Sequence, residues 1–150
     1  MIALDSNILI YAVLNDEPRN RNVAAQALLF KLAPIQPIVP LKVIGEFLNV
    51  CRRKKVLATL AARSRAGEFL DSFNCPVTTE SDLISAVELS ARYDLQFFDA
   101  LIITVAARAG ATMLLSEDMQ DGLEVAGLRV VNPFAAANET LIADYFGSVV

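Results

Sequence analysis

Four acidic residues stand where acids are ordinarily avoided, each beside a run of apolar neighbours. Asp5 ends Met1-Ile2-Ala3-Leu4, and Glu46 lies within Val43-Ile44-Gly45-Glu46-Phe47-Leu48. Asp99 interrupts the stretch from Leu95 to Ile103, and Asp118 follows Thr112-Met113-Leu114-Leu115-Ser116-Glu117. A carboxylate next to buried surface is costly unless it is paired or bound to a metal. Acids so far apart in the chain, each tied to a core element, point to one converging acidic pocket. Such a pocket suits Mg²⁺ or Mn²⁺, which take oxygen ligands. Three or four carboxylates hold one ion or a pair, and a bound ion can acidify a water, align it with a phosphodiester and stabilise the leaving oxygen. The chain has no histidine. That removes His-based triads, His metal ligands and a His general base, leaving carboxylates, Lys, Tyr, Cys and bound water.

Each acid has a plainer explanation beside the chemical one. Asp5 at a strand end is also placed to cap a helix. Asp99, in the first turn of an apolar helix, is favoured there by the positive helix end alone. Asp118 shares its loop with Glu117 and Asp121, and loop acids are often only solvated; for those two neighbours the functional case is weaker. On a helix, positions 46, 49, 50 and 53 share one face beside an apolar stripe of Ile44, Phe47, Leu48 and Cys51. Glu46, Asn49 and Arg53 therefore form a polar line at the edge of the core. A carboxylate for metal and a guanidinium for phosphate could serve one site there, or the line is an ordinary solvated face. Ser6, Asn7 and Ser116 can hydrogen-bond ligating carboxylates from behind, although helix capping explains the first two equally well. Phe97-Phe98 and the run from Leu101 to Val105 read as core. Tyr11 could stack on a base or pack.

The elements that must carry these residues alternate between short apolar strands and helices. Residues 2–5 read as a buried strand, and Ser6 or Asn7 as the cap of a helix through about Leu14. Asn15-Asp16-Glu17-Pro18 breaks the pattern, and Pro18 can open a helix over about 19–32. Pro34, Pro37 and Pro40 bracket Ile38-Val39, a very short strand or extended link. Helices are expected over 41–55, ending in a basic run that suits a helix C-terminus, and over 59–73 with Thr59 as cap. Cys75-Pro76-Val77 reads as extended. Helices follow over 81–93 and 98–109, the second stopped by Gly110. Strands are expected at Thr112–Leu115 and Leu128–Val131, and a last helix near 139–146. This alternation predicts an α/β sandwich with a mostly parallel central sheet. In such sheets ligands bind beyond the carboxyl ends of the strands, where Asp5 and Asp118 both fall.

The 150 residues fit one domain, and an apolar fraction of 55% with mean hydropathy +0.46 argues against disorder. No apolar stretch approaches the ~20 residues needed to span a bilayer. The N-terminal run lacks a basic lead and is interrupted by Asp5, which argues against a signal peptide and makes the cytosol the default. Cys51 and Cys75 have no metal or disulfide spacing and read as reduced, buried side chains. The net charge of −4 argues against broad electrostatic binding of nucleic acid. Charge is uneven, however: Arg52-Arg53-Lys54-Lys55 is basic, with Arg19, Arg21, Arg63 and Arg65 in nearby segments.

Taken together, the motifs resemble a known family. Leu4-Asp5-Ser6-Asn7-Ile8-Leu9-Ile10-Tyr11-Ala12 resembles the opening of PIN domains. Ile44-Gly45-Glu46-Phe47, Phe98-Asp99-Ala100-Leu101-Ile102 and the run from Leu114 to Gly122 resemble their second, third and fourth acidic positions. Val130-Val131-Asn132-Pro133-Phe134 resembles the end of the VapC-type toxins, so the likeness covers about residues 2–134. It implies a single PIN-like domain over 1–150, a three-layer α/β/α sandwich with a short C-terminal tail. It further implies a cytoplasmic, Mg²⁺- or Mn²⁺-dependent endoribonuclease, the toxin of a toxin–antitoxin pair. Asp5, Glu46, Asp99 and Asp118 would then cluster round the metal, and a metal-activated water would leave 5′-phosphate and 3′-hydroxyl ends. Implied partners are an RNA substrate, an antitoxin covering the site and a second copy in a homodimer, with no membrane. A haloacid-dehalogenase-type phosphatase would want a second Asp where Asn7 stands, and a receiver domain a paired acid and a Lys near Asp5; neither fits. The serious alternative is a PIN scaffold that only binds RNA or a protein partner.

Overall fold

The structure, a computed structural model, describes residues 1–15 and 20–149. Strand β1 (Ile2–Leu4) is wholly buried, as befits a strand covered on both faces. It pairs in parallel with β2 (Met113–Leu115), Ile2 facing Met113 and Leu4 facing Leu115. Strand β2 pairs in parallel with β4 (Leu128–Val131). On the far edge the two-residue β3 (Glu124–Val125) runs antiparallel to β4, giving the order β1-β2-β4-β3. Beyond β1 the parallel order continues as single bridges, Ala3 to Ile38 and Ile38 to Asn74. Pro37 and Pro40 flank this point and have no N–H to give a ladder, so Ile38 makes one isolated bridge on each side rather than a strand.

Strand β3 escaped the sequence reading. Its link to β4 is the two-residue turn Ala126-Gly127, both at positive φ (53° and 74°). That twist suits a tight hairpin, but Ala in the first position gives none of the Asn-Gly or Asp-Gly signal.

Seven helices flank the sheet among the described residues: α1 (Ser6–Val13), α2 (Arg21–Leu32), α3 (Leu41–Arg53), α4 (Thr59–Ser72), α5 (Glu80–Tyr93), α6 (Phe97–Arg108) and α7 (Glu139–Val149). The result is an α/β/α sandwich with a mostly parallel open sheet. The expected start of α2 at Pro18 and Arg19 lies outside the described residues. Other expectations shift. Asp5, not Ser6 or Asn7, caps α1, because its carboxylate accepts the Ser6 N–H. Thr59 lies inside α4, whose cap position is Ala58 with no side-chain bond. Helix α3 stops at Arg53, and Lys55 turns left-handed (φ 52°).

The core joins β1, β2 and β4 to the inner faces of the helices, with Leu4, Leu9, Leu32, Phe47, Ile103, Leu114 and Leu115 fully buried. Phe47 of α3 meets Phe69 of α4 edge-on at 5.3 Å, and Phe69 stacks on Phe73 at 5.5 Å. Leu48 and Phe98, expected inside, are exposed. The buried stripe of α3 is Val43, Ile44, Phe47 and Cys51, which puts Leu48 just past its edge. Phe98 adjoins Asp99 and is 57% exposed, so the apolar face of α6 begins at Ala100. Cys51 is buried, Cys75 half-buried, and both are free thiols. No helix among the described residues is long and apolar enough to cross a membrane.

Helix α6 is clamped to α5. Asp82 closes the first turn of α5 in a reciprocal capping box with Thr79. The same carboxylate takes two hydrogen bonds from Arg108, at 2.8 and 2.9 Å, near the end of α6. The Arg108 guanidinium is the main reason the Asp82 pKa falls from 3.8 to about 2.

Candidate active site

Four segments carry the four acids, and two of these segments lie at the carboxyl edge of the parallel sheet. Strand β1 runs directly into Asp5, and β2 into Ser116, Glu117 and Asp118. The Ile38 bridge leads through Pro40 into α3, whose second turn holds Glu46. Helix α6 presents Asp99 in its first turn.

Asp5 is the anchor of a hydrogen-bonded group. Only 4% of it is exposed. One carboxylate oxygen accepts the Ser6 N–H at 2.7 Å. The other accepts the Ser116 hydroxyl at 2.7 Å and the Asn7 amide at 3.1 Å. Asn7 Nδ2 also reaches Ser116 Oγ and Asp118 Oδ2, both at 3.3 Å, so one amide ties Asp5 to Asp118. Asn7 Oδ1 accepts the Glu117 N–H at 3.3 Å, and Ser116 Oγ accepts the Met119 N–H at 3.2 Å. The loop after β2 is thereby fixed against the start of α1. Capping and positioning are thus one arrangement: Asp5 caps α1 with one oxygen and turns the other to Ser116 and Asn7.

The electrostatics link the acids further. Burial raises the pKa of Asp5 most; bonds from Ser116 and Ser6 pull it down, and the charges of Glu46 and Asp99 push it up. The balance is about 6, against an ordinary 3.8. Asp99 is also raised, first by burial and then by Glu46 and Asp118, while the positive charge of Lys42 lowers it. Each of the four therefore feels at least one of the others. Their donor chemistry, hard carboxylate oxygens, fits Mg²⁺ or Mn²⁺. Among the described residues, however, no three acids stand together as a ready ligand group. Glu46 is engaged instead by Lys42, one helical turn before it, in an ion pair.

The remaining candidates divide. Ser6 contributes its backbone N–H, and Asn7 and Ser116 their side chains, to the Asp5 group. Asn49 and Arg53 lie exposed further along α3 and share none of those hydrogen bonds among the described residues. Asp121 is occupied elsewhere. It accepts the Asn132 N–H at 2.8 Å and the Asn138 amide at 2.9 Å, and these bonds lower its pKa. It fastens the chain after β4 to the β2 loop. Glu117 pairs with Arg21 of α2, whose guanidinium lies 5.7 Å from the Tyr11 ring and 5.5 Å from the Phe134 ring. Tyr11 meets Phe134 edge-on at 5.5 Å, which is packing. Burial first, then the neighbouring Glu117, pushes its hydroxyl up to about 12.

Two cations pair with these acids in ways the sequence analysis does not anticipate, although Arg21 stands among its basic residues. Lys42 was legible, since Lys and Glu four apart on a helix face each other. Arg21 and Glu117 are 96 positions apart, and no local pattern joins them.

A search of curated proteins returned no match. Residues 2–122, most of the chain and all four acids, match the family model of the PIN domain; the chain belongs to the PIN domain family.

Proposed function

We propose that this chain is a metal-dependent endoribonuclease, and within its family a VapC-type toxin held inactive by an antitoxin. The supporting observation is the buried Asp5, whose carboxylate is driven to a pKa of about 6 by burial and by its acidic neighbours. A divalent cation would relieve that crowding of charge. Asp5, Glu46, Asp99 and Asp118 would hold Mg²⁺ or Mn²⁺, which supplies an activated water and charge neutralisation at a phosphodiester. Asn7 and Ser116 would keep Asp5 and Asp118 in register. We take the chain as one domain with its core over about 2–134, acting in the cytoplasm, on RNA and as a homodimer.

The test is cleavage of a labelled structured RNA by wild type and Asp99→Asn, with Mn²⁺ and with EDTA, after circular dichroism shows both folded. Metal-dependent cleavage lost in the variant is the expected result. Cleavage that survives the substitution or EDTA would end the acidic-site reading.

A non-catalytic scaffold that binds RNA or a protein is the second reading. It is favoured by the lack, among the described residues, of three acids already arranged as ligands. Mn²⁺ binding heat that disappears in Asp5→Asn would decide against it.

A further inference from the structure

We infer that Lys42 is a built-in competitor for the metal: its ammonium holds Glu46, and the divalent cation must displace it to gain that ligand. This rests on the nuclease reading above and concerns how its site is loaded.

Three observations on Lys42 carry it. Its ammonium is ion-paired with Glu46, and only 19% of its side chain is exposed. The same ammonium sits 4.3 Å from the centroid of the Phe98 ring. Its charge is also felt by Asp99. An exposed lysine–glutamate pair on a helix contributes little and binds nothing else. This one is part-buried, packed against an aromatic ring, paired with one of the four acids and near enough to a second for its charge to act there. It is a tethered cation beside the acids.

The arrangement explains why the acids are near one another electrostatically without forming a ligand group. Glu46 gives one carboxylate oxygen, Oε1, to Lys42. The Phe98 ring makes the exchange feasible. When Glu46 leaves, the ammonium keeps its contact with the Phe98 ring, so it is not stranded. The metal-free protein thereby avoids part of the repulsion among its acids, and its divalent affinity is lowered by the competition.

The experiment is calorimetric titration of Mn²⁺ alone into the full-length, metal-stripped chain. The proteins are wild type, Lys42→Met, Lys42→Arg, Glu46→Gln and the Lys42→Met/Glu46→Gln double variant, each with native circular dichroism. Lys42→Met should tighten the Mn²⁺ Kd about tenfold, the scale of one desolvated charge-assisted contact. Lys42→Arg keeps a competing cation and should stay near wild type. In the Glu46→Gln background the gain from Lys42→Met should shrink to below about twofold, because a double-mutant cycle isolates the exchange from simple charge repulsion. Mn²⁺ binding that is unchanged or weaker in Lys42→Met overturns the inference and leaves the nuclease reading standing, as does a gain of equal size in both backgrounds. Absence of binding in every variant overturns both.

Discussion

Replacing Asp5 by Asn should stabilise the metal-free protein at neutral pH. The pKa of Asp5 is raised from 3.8 to about 6. At ~1.36 kcal/mol per unit, holding the ionised carboxylate in the fold at pH 7 costs about 3 kcal/mol. The sign follows from linkage. Between pH 3.8 and 6 the unfolded chain has lost the proton and the folded chain keeps it, so stability falls as pH rises through that window. The penalty is nearly absent at pH 4, about half developed at pH 5 and complete at pH 7. Asparagine carries no charge, but the NH2 that replaces one carboxylate oxygen cannot accept from Ser116 and Asn7 as that oxygen does, which returns about 1–2 kcal/mol. The net gain of about 1–2 kcal/mol corresponds to a rise of about 3–6 °C in Tm for a domain of this size. Thermal melts in EDTA at pH 4, 5 and 7 would read it as an advantage of Asp5→Asn that grows with pH. With Mn²⁺ at a hundred times its Kd the order should reverse, because wild type gains about 2.7 kcal/mol that the variant cannot. Equal destabilisation of Asp5→Asn at pH 4 and pH 7 would refute the reasoning. It would mean that the hydrogen bonds to Ser6, Ser116 and Asn7 outweigh the burial of charge.

Asp82 should behave oppositely. Its folded pKa of about 2 lies below the ordinary 3.8, so its contribution is complete above pH 4 and is lost as pH falls toward 2. Asp82→Asn should cost about 1–2 kcal/mol at pH 7 once screening at the exposed Arg108 is allowed for, and acid titration of the melting temperature checks it. Phe47→Ala removes a fully buried ring that touches Phe69. It should cost about 3–5 kcal/mol in urea unfolding, with Mn²⁺ binding lost only as the fold is lost.

What the sequence made legible was whatever local pattern encodes. Apolar runs located β1, β2 and β4, and helical periodicity located every described helix to within a few residues. The placement of Asp5 and Asp118 beyond strand ends followed from parallel topology and is where the chain puts them. Less legible was anything set by partners distant in sequence. Asp121 reads as another loop acid until Asn138 is seen to grip it. Glu117 reads as solvated until Arg21 arrives from α2. The exposure of Phe98 depends on where the apolar face of α6 starts, and a run of six apolar residues broken only by Asp99 conceals that boundary. Strand β3 is set by a backbone twist at Ala126 rather than by its own two residues.

The bond between Asp5 and Ser116 spans 111 residues, and β1 gains its strand partner only when β2 exists to pair with it. During synthesis the first acid therefore emerges long before its partners. For most of elongation the growing chain carries Asp5, then Glu46, then Asp99, without the β2 strand and the loop after it that complete the group. Such non-local closure comes late and slowly. A nascent or truncated chain ending before β2 contains three of the four acids and no site. The hydrogen-bonded group around Asp5 can therefore close only after residues beyond Asp118 have left the ribosome.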